Sequence, residues 1–447
     1  RYHRDLHSFP TRRSSDLCRT NLPPNTAFRG FGGPQGIYVI ESVIEKIAKF
    51  MGKDPLEVRK LNAYKNGDKA PYGQEVRDSN AAAILERAAQ TADYHGMKIA
   101  VSEFNAQQLY KKQGIGIMPV KFGISFTTAL LNQGSALIWI YIDGSISVST
   151  GGVEMGQELT TKVAVVVSRV LGVSIENIRV ESSHTQRVGN ASPTAASTGS
   201  DINGNAARIA AEKLRDNLSV VVKIILTEKF DNKDPQPVFK DGTVFDARFP
   251  EQKISFKELI GRAYVERIAL GAYGYYKTPE VWFDRELGQG HPFYYYVYGA
   301  AIAKVELDLH TGEHRLLSTH IVHENGLSLH QDVDRGQIAG AFVQGMGWCT
   351  MEDVVCSGKG QYLSANPSTY KIPGIRDIPD LLKIELVESL CLEASVFGSK
   401  ATGEPPLVYG MAVYFALLDA LRSIDPKAEL SFPATPETLI TALQKHL

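Results

Sequence analysis

Residues 407–420 read LVYGMAVYFALLDA, and Asp419 is the only charge in the run. A helix that is apolar on every side has to be surrounded by protein, so the rest of the chain must be built around this segment. The run is too short to cross a bilayer. Just before it stands KATGEPP, with Glu404 between Gly403 and Pro405-Pro406. A carboxylate at the entrance of a buried helix is costly unless something requires it. Two readings stand: Glu404 caps the helix, or it does chemistry.

The chain has 447 residues, enough for two or three domains around a large core. A 43% hydrophobic and 22% charged composition is that of a soluble globular protein. The formal net charge is −1 with no long run of either sign, which argues against a nucleic-acid or membrane-surface partner. Cys18, Cys349, Cys356 and Cys391 are scattered without a CxxC pair. That excludes a disulfide scaffold and argues against an iron–sulfur cluster or thiolate zinc site in this chain. A reducing, cytoplasmic setting fits best. Residues 1–17, RYHRDLHSFPTRRSSDL, carry many arginines and no periodicity, and they lack the apolar centre of a signal peptide. They are expected to be a non-native scar on a chain whose natural beginning lies further upstream.

Helices and strands mix without regular βαβ alternation, so the expected class is α+β. Residues 34–51 predict a helix opened by Pro34, with Ile37, Ile40, Ile44, Ile47 and Met51 on one apolar stripe. A second helix follows at KDPLEVRKLNAY, with Asp54 as cap and Glu57 completing a capping box. A third covers 80–94, and the polar stretch 98–112 is expected to end the first domain. ALIWIYIDGSISVST predicts a hairpin with a two-residue Asp143-Gly144 turn of positive φ. Further helices are expected at 157–171, 203–229 and 335–350. A second hairpin turns at Thr311-Gly312.

Three segments are too rich in glycine and small residues to be plain core. In NTAFRGFGGPQG (25–36), the glycines free backbone N–H groups before a helix start, Arg29 adds a fixed charge and Phe31 projects from the loop. In GGVEMGQELTTK (151–162), Gly156-Gln157 opens a helix and the Gln157 amide can donate and accept. ASPTAASTGSDINGNAA (191–207) is small and hydroxylated and leads into a long helix. Each also has a plain reading, as a glycine turn, a helix cap with Glu154, and a flexible loop. KFGISFT (121–127) puts Phe122, Ile124 and Phe126 on one strand face, and GAFVQGMGW sets Gln344 among glycines on a helix. His310, His314, His320, His323 and His330 match no zinc spacing and would point to different faces of a hairpin.

Taken in order, CRTNLPPNTAFRGFGGPQG, KFGISFT, GGVEMGQELTTK, SPTAAS, GAFVQGMGW, PSTYKIP and KATGEPPL resemble the molybdopterin-binding subunit of the molybdenum hydroxylases, the family of xanthine dehydrogenase and aldehyde oxidase. The resemblance implies the mixed α+β fold of that subunit, truncated at its N-terminus. Residues 18–104 would be the end of the first molybdenum-binding domain and 105–447 the second. It implies a Mo-molybdopterin cofactor, with or without an attached nucleotide, and a metal held by the pterin dithiolene rather than by side chains. Arg29, Gly30, Gly156, Gln157, Ala195, Ala196, Ser197 and Gln344 would hold the cofactor. Phe31 and Phe126 would sandwich a flat purine, with Thr127 offering a hydroxyl. Glu404 would be the general base, mounted stiffly by the two prolines after it. The implied reaction takes hypoxanthine or xanthine to urate. Its electrons would pass to a partner carrying 2Fe–2S clusters and FAD and then to NAD⁺, in a dimer of heteromers. An aldehyde or other N-heterocycle hydroxylase is the alternative within the family, and a non-catalytic cofactor-binding module the alternative outside it. GQEL departs from the commoner GQGL and places Glu158 where the family has glycine.

Overall fold

The computed structural model describes residues 27–389 and 395–444. Residues 1–17, expected to be a non-native scar, lie outside them, as do Cys18, the first residues of the Arg29 motif and Cys391. The elements begin with helices α1 (Gly33–Phe50), α2 (Pro55–Asn62), α3 (Ala81–Thr91) and α4 (Tyr94–Gln107). Strands β1 (Lys111–Ile124), β2 (Gln133–Ile140) and β3 (Ile146–Thr150) follow, then helix α5 (Leu159–Leu171), strand β4 (Ile178–Val180) and helix α6 (Asn205–Phe230). Next come β5 (Pro237–Lys240), β6 (Thr243–Asp246), β7 (Phe249–Ser255), helix α7 (Phe256–Val265) and β8 (Gly271–Lys277). The chain continues through β9 (Trp282–Asp284), β10 (Gln289–His291), β11 (Tyr295–Asp308), β12 (His314–Glu324) and helix α8 (Gln331–Thr350). Strand β13 (Leu381–Val387), a 3-10 turn at Pro405–Gly410, and helices α9 (Met411–Arg422) and α10 (Pro436–Gln444) complete it.

The charge-poor run does organise the fold. Helix α9 lies on one face of a sheet ordered β1-β11-β12-β13, where Val413, Ala416 and Leu417 pack on Met118, Val120, Ala301 and Ala303. The alternate residues Ile117, Ala300 and Ile302 face the other way, onto Ile84, Leu85 and Ala88 of α3. Helix and sheet approach so closely that a Cβ on Gly116 would lie 1.9 Å from the Ala412 carbonyl oxygen, so only glycine fits there. A second sheet, ordered β4-β3-β2-β8, packs Ile138 and Val148 against Val163 and Val167 of α5 and Ala210 and Leu214 of α6.

Several expectations hold in detail. The Asp54 carboxylate accepts the Leu56 N–H at 2.8 Å and caps α2, although Glu57 turns to Lys60 instead of closing a capping box. β11 and β12 pair antiparallel as the second hairpin. Other expectations need correction. The apolar stripe of α1 is largely outside: Ile40, Ile47 and Met51 are 51%, 41% and 53% exposed. The buried side carries Pro34, Glu41 and Ala48, because Arg59 of α2 grips Glu41 and Glu45 at 2.9 Å each and turns that face inward. Residues 98–107 of the polar stretch belong to α4 and 111–112 open β1. The first hairpin turn is longer than two residues. The Gly144 N–H donates to the Tyr141 carbonyl, Tyr141 N–H donates to the Ser145 carbonyl, and of the two turn residues only Gly144 has positive φ, at 89°.

Candidate functional site

Glu404 stands at the mouth of the Pro405–Gly410 turn, where segments far apart in the chain meet. Its backbone N–H donates to Ser197 Oγ at 2.8 Å, and the same hydroxyl donates to Glu404 Oε2 at 2.9 Å. The Gly30 N–H donates to Oε1 at 3.2 Å. Arg29 beside it spans three partners: Nε to the Gly403 carbonyl at 2.7 Å, Nη1 to Gln344 Oε1 at 3.2 Å and Nη2 to Gln337 Oε1 at 3.3 Å. Burial lowers the Arg29 pKa and the Glu404 carboxylate opposes that shift. Gln337 in turn donates to the Gly156 carbonyl at 3.3 Å. Helix α8 supplies both glutamines, and it lies hard against the turn after Glu404: a Cβ on Gly345 would sit 1.9 Å from the Leu407 carbonyl oxygen. Arg29, Gly30, Ser197, Gln344 and Glu404 are thus one hydrogen-bonded cluster, with Gly156 joined through Gln337.

Gln157 does not reach that cluster directly. Its side chain closes its own loop, accepting the Met155 N–H at 2.6 Å and donating to the Val153 carbonyl at 2.7 Å. Val153 N–H donates to Thr194 Oγ1 at 2.9 Å, which ties this loop to the one carrying Ala195, Ala196 and Ser197. The Ala195 carbonyl accepts both the N–H and the hydroxyl of Thr198, at 3.2 and 3.0 Å. Glu154 caps α5. Burial pushes its pKa up, but the N–H groups of Thr160, Gly156 and Glu158 outweigh that and hold it below the usual carboxylate range.

Phe31, Glu158, Ala196 and Ser197 all have left-handed backbones, with φ of 44°, 60°, 54° and 56°. Non-glycine residues held there carry about 1–3 kcal/mol of strain each, and such strain collects at functional sites. Glu158 is the residue that replaces the glycine expected from the resemblance. Glu158→Gly is therefore expected to stabilise the chain by about 1 kcal/mol, read as a higher melting temperature. A lower one would mean that the bond Thr161 gives the Glu158 carboxylate is worth more than the strain.

The expected aromatic pair is less tightly placed. Phe31 follows Gly30 and is 73% exposed. Phe126 and Thr127 lie just past the end of β1, in a loop pinned by Asn132, whose side chain accepts the Phe126 N–H and donates to the Phe126 carbonyl, both at 2.8 Å. It is Phe122 that packs on the glycine turn, 3.3 Å from where a Cβ on Gly33 would be.

Sequence reasoning did not single out the buried charges behind the site. Lys162 Nζ contacts Asp334 Oδ1 at 2.6 Å, and Thr402 Oγ1 donates to the same oxygen at 3.2 Å. Tyr295 donates to Asp201 at 2.7 Å, and burial raises the Asp201 pKa to about 7 against the opposing effects of Tyr295 and Lys162. Lys400 reaches Asp78 at 2.9 Å and Glu324 at 3.2 Å. Lys162 and Lys400 were in view as the end and the beginning of two motifs, but nothing local marks a lysine as buried. Among the described residues, no group of three His, Cys, Asp or Glu is placed to hold a metal. The histidine run is dispersed: His323 pairs with Tyr409 at 2.7 Å and His330 caps α8. The donors present suit a different kind of ligand. A guanidinium, two carboxamides, a serine hydroxyl and glycine-turn amides are the donor types that the phosphate and ring edges of a pterin would need, its own sulfur atoms carrying the metal.

Two family models match, both described as molybdopterin cofactor-binding domain, one over residues 87–379 and one over residues 10–63. The chain belongs to this family of molybdopterin cofactor-binding domains. It is 39% identical over 435 residues to a xanthine dehydrogenase of Dictyostelium discoideum, covering 95% of this chain and 30% of that protein. A xanthine dehydrogenase/oxidase of Felis catus is 38% identical, with 95% and 31% covered. The chain thus spans about a third of the length of the curated relatives it matches. The fold is that of quinoline 2-oxidoreductase from Pseudomonas putida 86, with a TM-score of 0.80 at 23% identity over 94% of this chain and 53% of the other. No described helix is long and apolar enough to cross a membrane.

Proposed function

We propose that this chain is the cofactor-binding part of a molybdenum hydroxylase that oxidises a purine, hypoxanthine or xanthine, to urate. The observation that carries this reading is the Glu404 carboxylate, held by Gly30 and Ser197 where two of the three small-residue segments converge, with the third joined through Gln337. Arg29, Gly30, Gly156, Gln157, Ala195, Ala196, Ser197 and Gln344 would hold the molybdenum cofactor, with or without an attached nucleotide. When bound, that cofactor supplies the water-derived oxygen and accepts the two electrons of the oxidised C–H bond.

The protein's own part is positioning and proton transfer. Glu404 spends one lone pair of each carboxylate oxygen on its anchors, and an ionised carboxylate has about four. It can therefore take a proton without releasing either anchor, the geometry a general base needs. Arg29, spread over Gly403 and two glutamines, holds the glycine turn and the Glu404 segment at a fixed separation. Phe31 and Phe126 would sandwich a flat heteroaromatic substrate, one ring stacking on its face and the other meeting an edge, and Thr127 would offer a hydroxyl. Electrons would leave to a partner carrying 2Fe–2S clusters and FAD, and then to NAD⁺, in a cytoplasmic dimer of heteromers.

The test is to express the chain within its complete parent protein and to assay urate formation from xanthine together with molybdenum content. Stoichiometric molybdenum and NAD⁺-dependent urate formation are expected, whereas this chain alone should be inactive with xanthine and NAD⁺. Turnover of aldehydes but not purines would move the substrate to the other branch of the family. Bound molybdenum with no oxidative turnover would make the chain a cofactor-binding module.

A further inference from the structure

Lys400, Ala401 and Thr402 are consecutive residues, and each is tied to a different buried polar group. The Lys400 side chain is fully buried; its ammonium meets Asp78 at 2.9 Å, Glu324 at 3.2 Å and the Tyr296 carbonyl at 3.1 Å. Its backbone N–H donates to the Asn325 carbonyl at 2.9 Å. The Ala401 N–H donates to the Tyr295 hydroxyl at 3.0 Å, and that hydroxyl donates onward to Asp201. Thr402 donates to Asp334, which also holds Lys162. Two residues further on, Glu404 meets Ser197 and Gly30.

The anchors come from separate parts of the fold: Asp78 before α3, Tyr295 on β11, Glu324 on β12, Lys162 on α5 and Asp334 on α8. Burying that many charges gains little stability over apolar packing of the same volume. It does specify register. A slip of one residue would unpair the Lys400 ammonium, the Ala401 amide and the Thr402 hydroxyl together, each at the cost of a buried unsatisfied group. The rail ends at the carboxylate whose placement matters most, and a misplacement of about 1 Å at a reacting group can cost about 10²-fold in rate.

We propose that Tyr295, Lys400, Thr402 and the Lys162–Asp334 pair are positioning residues for Glu404, setting where its carboxylate stands against Gly30 and Ser197. The inference rests on Glu404 being the base. Its test uses the complete holoenzyme carrying Tyr295→Phe, Thr402→Val or Thr402→Ser. Hydrogen exchange over 399–404 is followed beside kcat, KM, molybdenum content and melting temperature. Tyr295→Phe is expected to speed exchange of the Ala401 amide at least tenfold. Tyr295→Phe and Thr402→Val are expected to lower kcat about 10–100-fold with KM within about twofold and molybdenum unchanged. Thr402→Ser, which keeps the hydroxyl, should stay within about threefold of the parent. Unchanged kcat in both damaging variants while Glu404→Gln is inactive would overturn the rail. A loss of kcat in Thr402→Ser equal to that in Thr402→Val would overturn it too. Full turnover in Glu404→Gln would instead overturn the base, and it is told apart because the exchange effect at Ala401 does not depend on chemistry.

Discussion

Glu404→Gln is expected to lower kcat of the complete enzyme by about 10²–10⁴-fold while leaving molybdenum content and fold intact. The substitution removes the proton acceptor and keeps the shape. Gly30 offers an N–H that can only donate, so the single oxygen of the amide must take that side, at the position where Oε1 now accepts at 3.2 Å. The amide nitrogen then faces Ser197, whose oxygen can accept from it while also receiving the residue-404 N–H. Both anchors survive in altered form, so the stability change should stay within about 1–2 kcal/mol. The two readouts separate the possible roles of this carboxylate. A residue that only closes the turn would keep its kcat with the substitution, whereas a base loses it at unchanged molybdenum content and stability. Retained turnover at full molybdenum loading would refute the assignment.

Composition and local pattern carried the fold class and the central helix, because a helix with a single charge that is too short to span a bilayer has to be surrounded by protein. The stripe on α1 was misread for a reason that also lies in physics. Periodicity reports that a helix has an apolar side, but the Arg59 pairing with Glu41 and Glu45 decides which side turns inward, and no window of sequence shows a partner eighteen residues away. At the site, Arg29, Gly30, Ser197, Gln344 and Glu404 were legible through small-residue density and resemblance, and they form one cluster. Gln337 was not: it lies seven residues before Gln344, two helical turns along the same face of α8, and resembles any solvated glutamine until Arg29 is seen beside it. Tyr295, Asp201 and Asp334 were invisible for the same cause, since their role depends on burial that only the assembled fold creates.

Lys162→Met is expected to destabilise the chain by about 3–5 kcal/mol, with part of the loss recovered in the double variant Lys162→Met/Asp334→Asn, which removes the stranded charge and keeps an oxygen for the neighbouring donors. Asp334 is 2% exposed and receives Lys162 at 2.6 Å together with the side chains of Thr402, Asn325 and Ser328. Burial raises its pKa, but the Lys162 ammonium and those donors outweigh burial and leave the carboxyl below its usual range. A depressed carboxyl pKa contributes stability that is present above the unfolded value and fades as pH falls through the folded one. Without the lysine, burial is the dominant remaining influence, and the carboxyl is pushed the other way. Its penalty is then fully present at high pH and relieved as protons are taken up. The stability gap between the parent and Lys162→Met should therefore be widest at pH 7–8 and narrow as pH is lowered. Denaturant melts of both proteins across that range measure it. A gap that is the same at every pH would show that Asp334 stays ionised without its lysine, and that the neighbouring hydroxyls and amide, rather than the ion pair, keep a charge in the core.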